Sequence, residues 1–301
     1  MKTIICMLHL VVLLISGSAV AQQPDSKPFF IGKARPAGEI SRIVSLAPNL
    51  TEIIFALGAG KKIVGVTRYD DYPPEVKKIP KAGGFLDPSL ETILGLKPDL
   101  VVCVPNASNH GPMETLSRMG VAVLVLPAYR LSDVYISVET IGKLLGKEKK
   151  AAEIIKMMKE GIKRVQARVV TGNKRKRVLM VYGHKPLVCA GSGSFAHEMM
   201  ELAGARNVLE SSKIRYPTVP METVVNLAPD VIIDASASGT GASMNPELVR
   251  EFWKKWKVIP AVKNHRVYMF DSALWFRPGP RLIIGLEKLA TLLQDPLHPA
   301  P

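Results

Sequence analysis

The chain has 301 residues, 47% hydrophobic and 22% charged, and 40 Lys and Arg against 26 Asp and Glu give a formal charge of +14. That length and balance exclude a disordered chain and a multi-span membrane protein, leaving room for one large core or two ordinary ones. Apart from Lys174-Arg175-Lys176-Arg177, the basic residues are scattered along predicted helix faces, so the charge reads as solvated surface and no nucleic-acid partner is expected.

The first 21 residues stand apart. Lys2 supplies a positive start, Ile4 to Ile15 is apolar except for Cys6 and His9, and Ala19-Val20-Ala21 offers a small-x-small cleavage pattern before Gln22. The segment reads as a cleavable export signal, because its apolar run falls short of the roughly 20 residues that a retained span needs. Cys6 lies too early to carry a lipid anchor. Cleavage lowers the charge from +14 to +13, since Lys2 is the only charged residue lost. Cys103 and Cys189 remain on opposite sides of a long predicted helix, and no disulfide is expected between them.

Residues 22 to 41, with Pro24, Pro28 and Pro36, show no periodicity and read as a loosely attached leader. Ile43 to Leu46 is a buried-type strand. Asn49-Leu-Thr-Glu52 then fits a capping box opening a helix that Gly58 and Gly60 stop. Next come a strand at Ile63 to Thr67, the loop Arg68 to Glu75, a helix ending at Leu96, and a strand at Leu100 to Val104. A helix near Met113 to Met119 and a strand at Val121 to Leu126 follow. Strands alternating with helices predict a parallel sheet covered on both faces.

Glu148 to Val170 is the longest helical stretch, with Ala151, Ile155, Met158, Ile162, Val165 and Val169 on one face. Beyond it the same order returns: a strand at Arg177 to Tyr182, a loop from Gly183 to Gly193, and a helix from Ser194 to Ala203. Leu90-Glu-Thr-Ile-Leu-Gly-Leu-Lys-Pro-Asp-Leu-Val-Val102 is echoed by Met221-Glu-Thr-Val-Val-Asn-Leu-Ala-Pro-Asp-Val-Ile-Ile233, identical at five of thirteen positions and apolar at six more. Leu57-Gly-Ala-Gly and Tyr72-Pro73 have weaker counterparts at Leu202-Ala-Gly-Ala and Tyr216-Pro217. Echoes in one order on both sides of one helix predict two related lobes. A strand at Val267 to Phe270, a loop, and a helix from Arg281 to Leu293 close the second.

Open parallel sheets bind ligands beyond the carboxyl ends of their strands. The loops leaving those ends hold Tyr69, Asp70, Phe85, Asn106, His110, His184, Cys189, Tyr216, Trp275, Phe276 and Arg277, and aromatics are only 6% of the chain. Flat apolar faces with a few polar groups suit a large, partly planar ligand. His110 and His184 lack the close spacing of a zinc site. Gly191-Ser-Gly-Ser194 could offer N–H donors to an anion but is neither a Walker loop nor a hydrolase elbow. No nucleophile with a base partner stands out, so no catalytic residue is expected.

Ser45-Leu-Ala-Pro-Asn-Leu-Thr-Glu52, Tyr69-Asp-Asp-Tyr-Pro-Pro74, Leu96-Lys-Pro-Asp-Leu100, the second copy around Glu222 and Arg277-Pro-Gly-Pro-Arg281 together resemble the iron/vitamin B12 class of periplasmic solute-binding proteins, over about residues 42 to 293. The resemblance implies an α/β fold of two three-layer lobes with parallel-rich sheets joined by a single long helix. Its divisions would be a signal at 1–21, the leader at 22–41, an N-terminal lobe at 42–147, the linker helix at 148–170, a C-terminal lobe at 171–295 and a tail at 296–301. It implies a receptor with no resident cofactor or metal, which captures cobalamin or a related corrinoid in the periplasm for an ABC permease dimer of the inner membrane. The ligand contacts it implies are Tyr69, Phe85, His184, Tyr216 and the loop Ala273, Leu274, Trp275, Phe276 and Arg277. Phe85 and Tyr216 stand where cobalamin-binding members carry tryptophan, a departure that keeps aromatic character. Glu91 and Glu222 would dock onto arginines of the two-fold permease. A ferric siderophore or haem is the alternative ligand, and an exported hydrolase the alternative of another class.

Overall fold

The computed structural model describes residues 27–106, 108, 110–169, 175–236, 246–269 and 277–294. Short runs of Val, Ile and Leu form the first sheet. It contains β1 (Phe29–Phe30), β2 (Ile43–Ser45), β3 (Ile63–Gly65), β4 (Leu100–Cys103) and β5 (Ala122–Val125), in the order β1-β5-β4-β2-β3. All pairs are parallel except β1 with β5. The second sheet contains β6 (Arg177–His184), β7 (Leu187–Cys189), β8 (Arg206–Asn207), β9 (Val231–Asp234) and β10 (Val267–Met269), in the order β10-β9-β6-β7. There β8 pairs parallel with the start of β6, while β7 folds back antiparallel onto its end.

The period-2 alternation of strands decides which side chains meet which layer. Ile43, Leu100, Val102 and Leu124 point to an inner core, and Val44, Val101, Cys103 and Val123 to an outer one. In the second sheet Val178, Met180, Val231 and Ile233 point inward, and Leu179, Val181 and Ile232 outward. The two outer cores are separate, but the inner faces of both sheets belong to one continuous apolar cluster. This is the α/β architecture of two three-layer lobes.

The helices, in order, are α1 (Pro48–Ala56), α2 (Leu90–Gly95), α3 (His110–Arg118), α4 (Leu131–Leu144), α5 (Glu148–Gln166), α6 (Phe195–Leu202), α7 (Met221–Leu227), α8 (Pro246–Trp253), α9 (Pro260–Lys263) and α10 (Leu282–Gln294). The single long connection is α5, which buries Ala151, Ile154, Met158, Gly161, Ile162 and Val165. Its 19 residues span about 28 Å. Gly161 is there for contact: a Cβ would meet Ile283 Cγ2 of α10 at 2.6 Å, so only glycine allows this approach.

The sequence echo is a physical repeat. In the first lobe Asp99 Oδ2 accepts from the Arg42 N–H at 2.8 Å, and Arg42 Nη2 donates to the Leu96 carbonyl at 2.6 Å. In the second, Asp230 Oδ2 accepts from the Arg177 N–H at 2.9 Å, and Arg177 Nη2 donates to the Leu227 carbonyl at 2.6 Å. The echoed positions Lys97 and Ala228 share a positive φ, 46° and 42°. Each αβ turn is thus closed by the same pair of contacts on the strand beside it.

Four expectations change. Part of the leader is ordered against the first sheet, with Phe29 and Phe30 paired to Val125 and Leu124 and with Ile31 and Ile40 buried. The capping box at Asn49 does not form, because α1 starts earlier, with Ala47 at the N-cap and Pro48, whose missing N–H suits a first turn, behind it. The loop from Gly183 to Gly193 contains β7. The linker helix ends at Gln166, and Val170 lies outside the described residues. Unexpected as a helix is α4, whose Val134, Ile136, Val138 and Ile141 favour strand by propensity. Its buried face packs on α1 and α5, and that packing overrides the preference.

Candidate functional site

The loop after β3 is built on a tight turn. Asp70 Oδ2 accepts from the Thr67 N–H at 2.9 Å and from Thr67 Oγ1 at 2.5 Å, inside the protein, where burial raises the Asp70 carboxyl above its usual range. The turn leaves Tyr69 39% exposed, beside the Arg68 guanidinium at 5.8 Å. Arg68 is itself fixed by two contacts to Asp87, at 2.9 and 2.8 Å. Phe85, between these partners in sequence, is half-buried against the inner core.

On the second lobe Tyr216 is 46% exposed and stands edge-on to Tyr182, ring centroids 5.6 Å apart. Its neighbour Arg215 donates Nε to the Gly193 carbonyl at 2.9 Å and lays its guanidinium 4.1 Å over the ring of Tyr129, which follows β5 of the other lobe. The strand-end loops of the two lobes therefore face each other, and Tyr69 and Tyr216 are exposed aromatic surfaces on opposite sides.

His184 sits in a polar and aromatic cluster at the end of β6. Its Nε2 lies 2.7 Å from Asp234 Oδ2 and 3.1 Å from Ser236 Oγ, and its ring stacks on Phe252 at 3.8 Å. Trp253 Nε1 donates to the same Asp234 oxygen at 2.6 Å. Burial alone would raise the Asp234 carboxyl, but hydrogen bonds from His184, Ser236 and Trp253 hold it below the usual carboxylate range. Ser236 and Asp234 both meet the same imidazole nitrogen, so the group cannot relay a proton as a hydrolase triad does.

Arg277 is engaged in a bridge between lobes. Its Nη1 donates to Glu52 Oε1 at 2.9 Å and to Asp71 Oδ1 at 2.6 Å, contacts that keep the guanidinium charged against the opposing effect of burial. The remaining loop positions Ala273, Leu274, Trp275 and Phe276 lie outside the described residues. The Gly191 to Ser194 turn is not an open cradle: the Gly191 N–H donates to the Arg215 carbonyl at 2.8 Å, and Ser194 caps α6 by accepting from the His197 N–H. His110 is exposed on α3, 3.6 Å from Glu114.

Glu91 and Glu222 are the second residues of α2 and α7, both exposed, and among the described residues neither forms an ion pair. Ser89, which accepts from the Thr92 N–H, carries the α2 cap. Tyr129, Tyr182 and Arg215 escaped the sequence reading. The strand-end rule applied to β5 would have found Tyr129, whereas Arg215 has no local signal. A separate groove of about 610 Å³ between α4 and α5, lined by Glu139, Lys143, Glu148, Lys156 and Lys159, lies on helix surfaces away from the strand ends.

A family model described as periplasmic binding protein matches residues 43–274. The chain is 37% identical over 258 residues to an uncharacterized ABC transporter substrate-binding lipoprotein of Bacillus subtilis, covering 84% of this chain and 79% of that one. The periplasmic vitamin B12 binding protein of Vibrio cholerae superposes with a TM-score of 0.71 at 27% identity, over 85% of this chain and 97% of that one. The periplasmic heme-binding protein of Roseiflexus superposes with a TM-score of 0.73 at 25% identity, over 85% and 98%.

Proposed function

The chain belongs to the periplasmic binding protein family, and from that premise we propose that it captures cobalamin or a related corrinoid between its lobes and delivers it to an ABC permease dimer of the inner membrane. It is a substrate-binding protein of the ABC-transporter class that serves vitamin B12, haem and siderophores, and not an enzyme. The observation that carries the corrinoid reading is the pair of exposed tyrosines, Tyr69 and Tyr216, set on strand-end loops of opposite lobes. Two aromatic faces across a cleft suit a large, nearly flat ring system. In this reading Phe85 and the loop Ala273 to Phe276 complete the walls. Arg277 contributes by holding that loop against the first lobe.

One observation favours haem or a ferric siderophore as a second reading. Asp234 holds His184 Nε2, the arrangement by which a carboxylate orients a metal-ligating imidazole, and the side chain keeps 18% exposure. Visible spectra of the purified protein after incubation with cobalamin, haem and ferric siderophores separate the two. We expect retained cobalamin and no shift of the haem band.

Aromatic packing contributes about 0.5 to 1.5 kcal/mol per pair beyond area burial, so Tyr69→Ala and Tyr216→Ala are each expected to weaken cobalamin binding roughly tenfold. Calorimetric titration showing full affinity in both variants places the site elsewhere. The lobes share an inner core through α5, so small-angle scattering is expected to change only slightly on ligand addition. A large compaction contradicts the single-helix connection as the brake on movement. Export follows in this reading from a signal at residues 1–21, with lobes at 42–147 and 171–295 around the linker.

A further inference from the structure

Among the described residues the lobes are tied at two places, and in both a glutamate on one lobe's first helix reaches the opening of the other lobe's last helix. In the first, Glu52 on α1 reaches to the start of α10. Its Oε1 accepts from Arg277 Nη1 at 2.9 Å and Arg281 Nη2 at 2.6 Å, and its Oε2 accepts from Arg281 Nε at 2.8 Å. Beside it Arg281 lies 3.7 Å over the ring of Tyr72. In the second, Glu198 on α6 reaches back to the start of α4, where its Oε2 accepts from the Leu131 N–H at 2.6 Å. Beside that contact Arg215 lies over Tyr129.

The elements correspond. Helices α1 and α6 are the first after β2 and β6, the equivalent central strands, while α4 and α10 follow β5 and β10, the equivalent strands of the two sheets. Each lobe thus sends a carboxylate from its first helix to the opening of the other lobe's last helix. Beside each tie an arginine of the second lobe lies over a tyrosine of the first, so these contacts add to the ties without exchanging lobes as the carboxylates do. Helix openings present unpaired N–H groups and the positive end of the dipole, and in α10 two arginines add to it.

A shared core along one helix resists hinge opening but leaves twist about that helix weakly restrained. Contacts on two other helix pairs remove the twist. We propose that Glu52 and Glu198 are positioning residues that lock the orientation of the lobes. They thereby set the width of the cleft and the separation of Glu91 from Glu222. The consequence for delivery rests on the docking role given to those glutamates above; the lock itself does not.

The lock is tested on the purified chain with neither ligand nor permease present, so failure of the corrinoid assignment leaves the result unaffected. Met119→Cys and Leu248→Cys place spin labels at exposed positions, one on each lobe. The native Cys103 and Cys189 are buried, with thiols pushed up to about 12, and resist labelling. Pulsed dipolar spectroscopy is expected to give one narrow distance distribution. Combining Glu52→Gln with Glu198→Gln is expected to broaden it about twofold, with the far-ultraviolet circular dichroism unchanged. Glu198→Gln alone, which alters one hydrogen bond and leaves Arg277 and Arg281 paired with Glu52, is expected to show part of the broadening and serves if the double variant does not fold. An unchanged distribution in a folded variant overturns the proposal.

Discussion

Cells whose only copy of this receptor combines Glu91→Ala with Glu222→Ala are expected to lose uptake of the ligand, while the purified variant keeps its full affinity. Both side chains are exposed second residues of echoed helices, α2 and α7, and among the described residues neither has an ion-pair partner. A structural role is open to them, since an acidic group in a first helical turn gains about 0.3 to 1 kcal/mol from the dipole. That amount is too small to affect folding, and in α2 the cap belongs to Ser89. Related lobes that carry the same charge at the same place match a partner with two equivalent basic pockets. Truncating one member of a buried charge pair costs roughly 2 to 5 kcal/mol, so losing both corresponds to a drop in docking affinity on the order of a thousandfold or more. Glu114→Ala, a change at an exposed glutamate of α3, is the control expected to leave uptake unchanged. Normal uptake by the double variant, measured with labelled ligand in cells lacking the native receptor, would remove the docking assignment.

The largest loss of stability is expected from Trp253→Ala. The indole is buried in the outer core of the second lobe, packs edge-on to Phe252 at 5.0 Å and donates to Asp234. Truncating a buried tryptophan costs about 3 to 5 kcal/mol through lost contacts and the cavity left behind. Asp234 would also lose one donor. Trp253→Phe keeps most of the ring but not the N–H, and loss of one hydrogen bond to a charged group is expected to cost about 1.5 to 3 kcal/mol.

The pH dependence identifies the cause. Asp234 titrates in the folded protein below its ordinary value of 3.8, so its contribution is present above about pH 4 and is lost as pH falls through the folded value. Trp253→Phe brings the folded value closer to the ordinary one and shrinks that contribution. The stability gap between wild type and Trp253→Phe should therefore be full at pH 7 and narrow toward pH 3 in urea titrations. A gap that does not vary with pH would mean that packing alone, without the hydrogen bond, accounts for the difference.

Local order was readable in the sequence because it depends on neighbours. Short apolar runs located β2 to β6 and β10 to within a residue or two, the 3.6-residue period located α5, and the thirteen-residue echo became two αβ turns closed by the same contacts. The strand-end rule led to Tyr69 and Tyr216 because a loop's position follows from the strand before it. Other features depended on residues far away. Local propensity did not reveal α4, because its strand-favouring residues Val134, Ile136, Val138 and Ile141 become helical only by packing on α1 and α5. His184 is held by Asp234, 50 residues on, and by Phe252, partners that no local pattern marks.

Glu52 shows the division most clearly. Its spacing from Asn49 satisfies a local capping rule, but the helix starts two residues earlier, at Pro48, and frees the carboxylate to meet Arg277, 225 positions away, and Arg281, 229 positions away. By itself the sequence determined the strands, the long helix, the repeat and the family, because periodicity and register are properties of adjacent residues. Only the tertiary structure decided where the charges of Glu52, Glu198 and Arg277 are spent, because a carboxylate inside a protein must find its partner in space, and nothing in the chain marks which distant residue will be there.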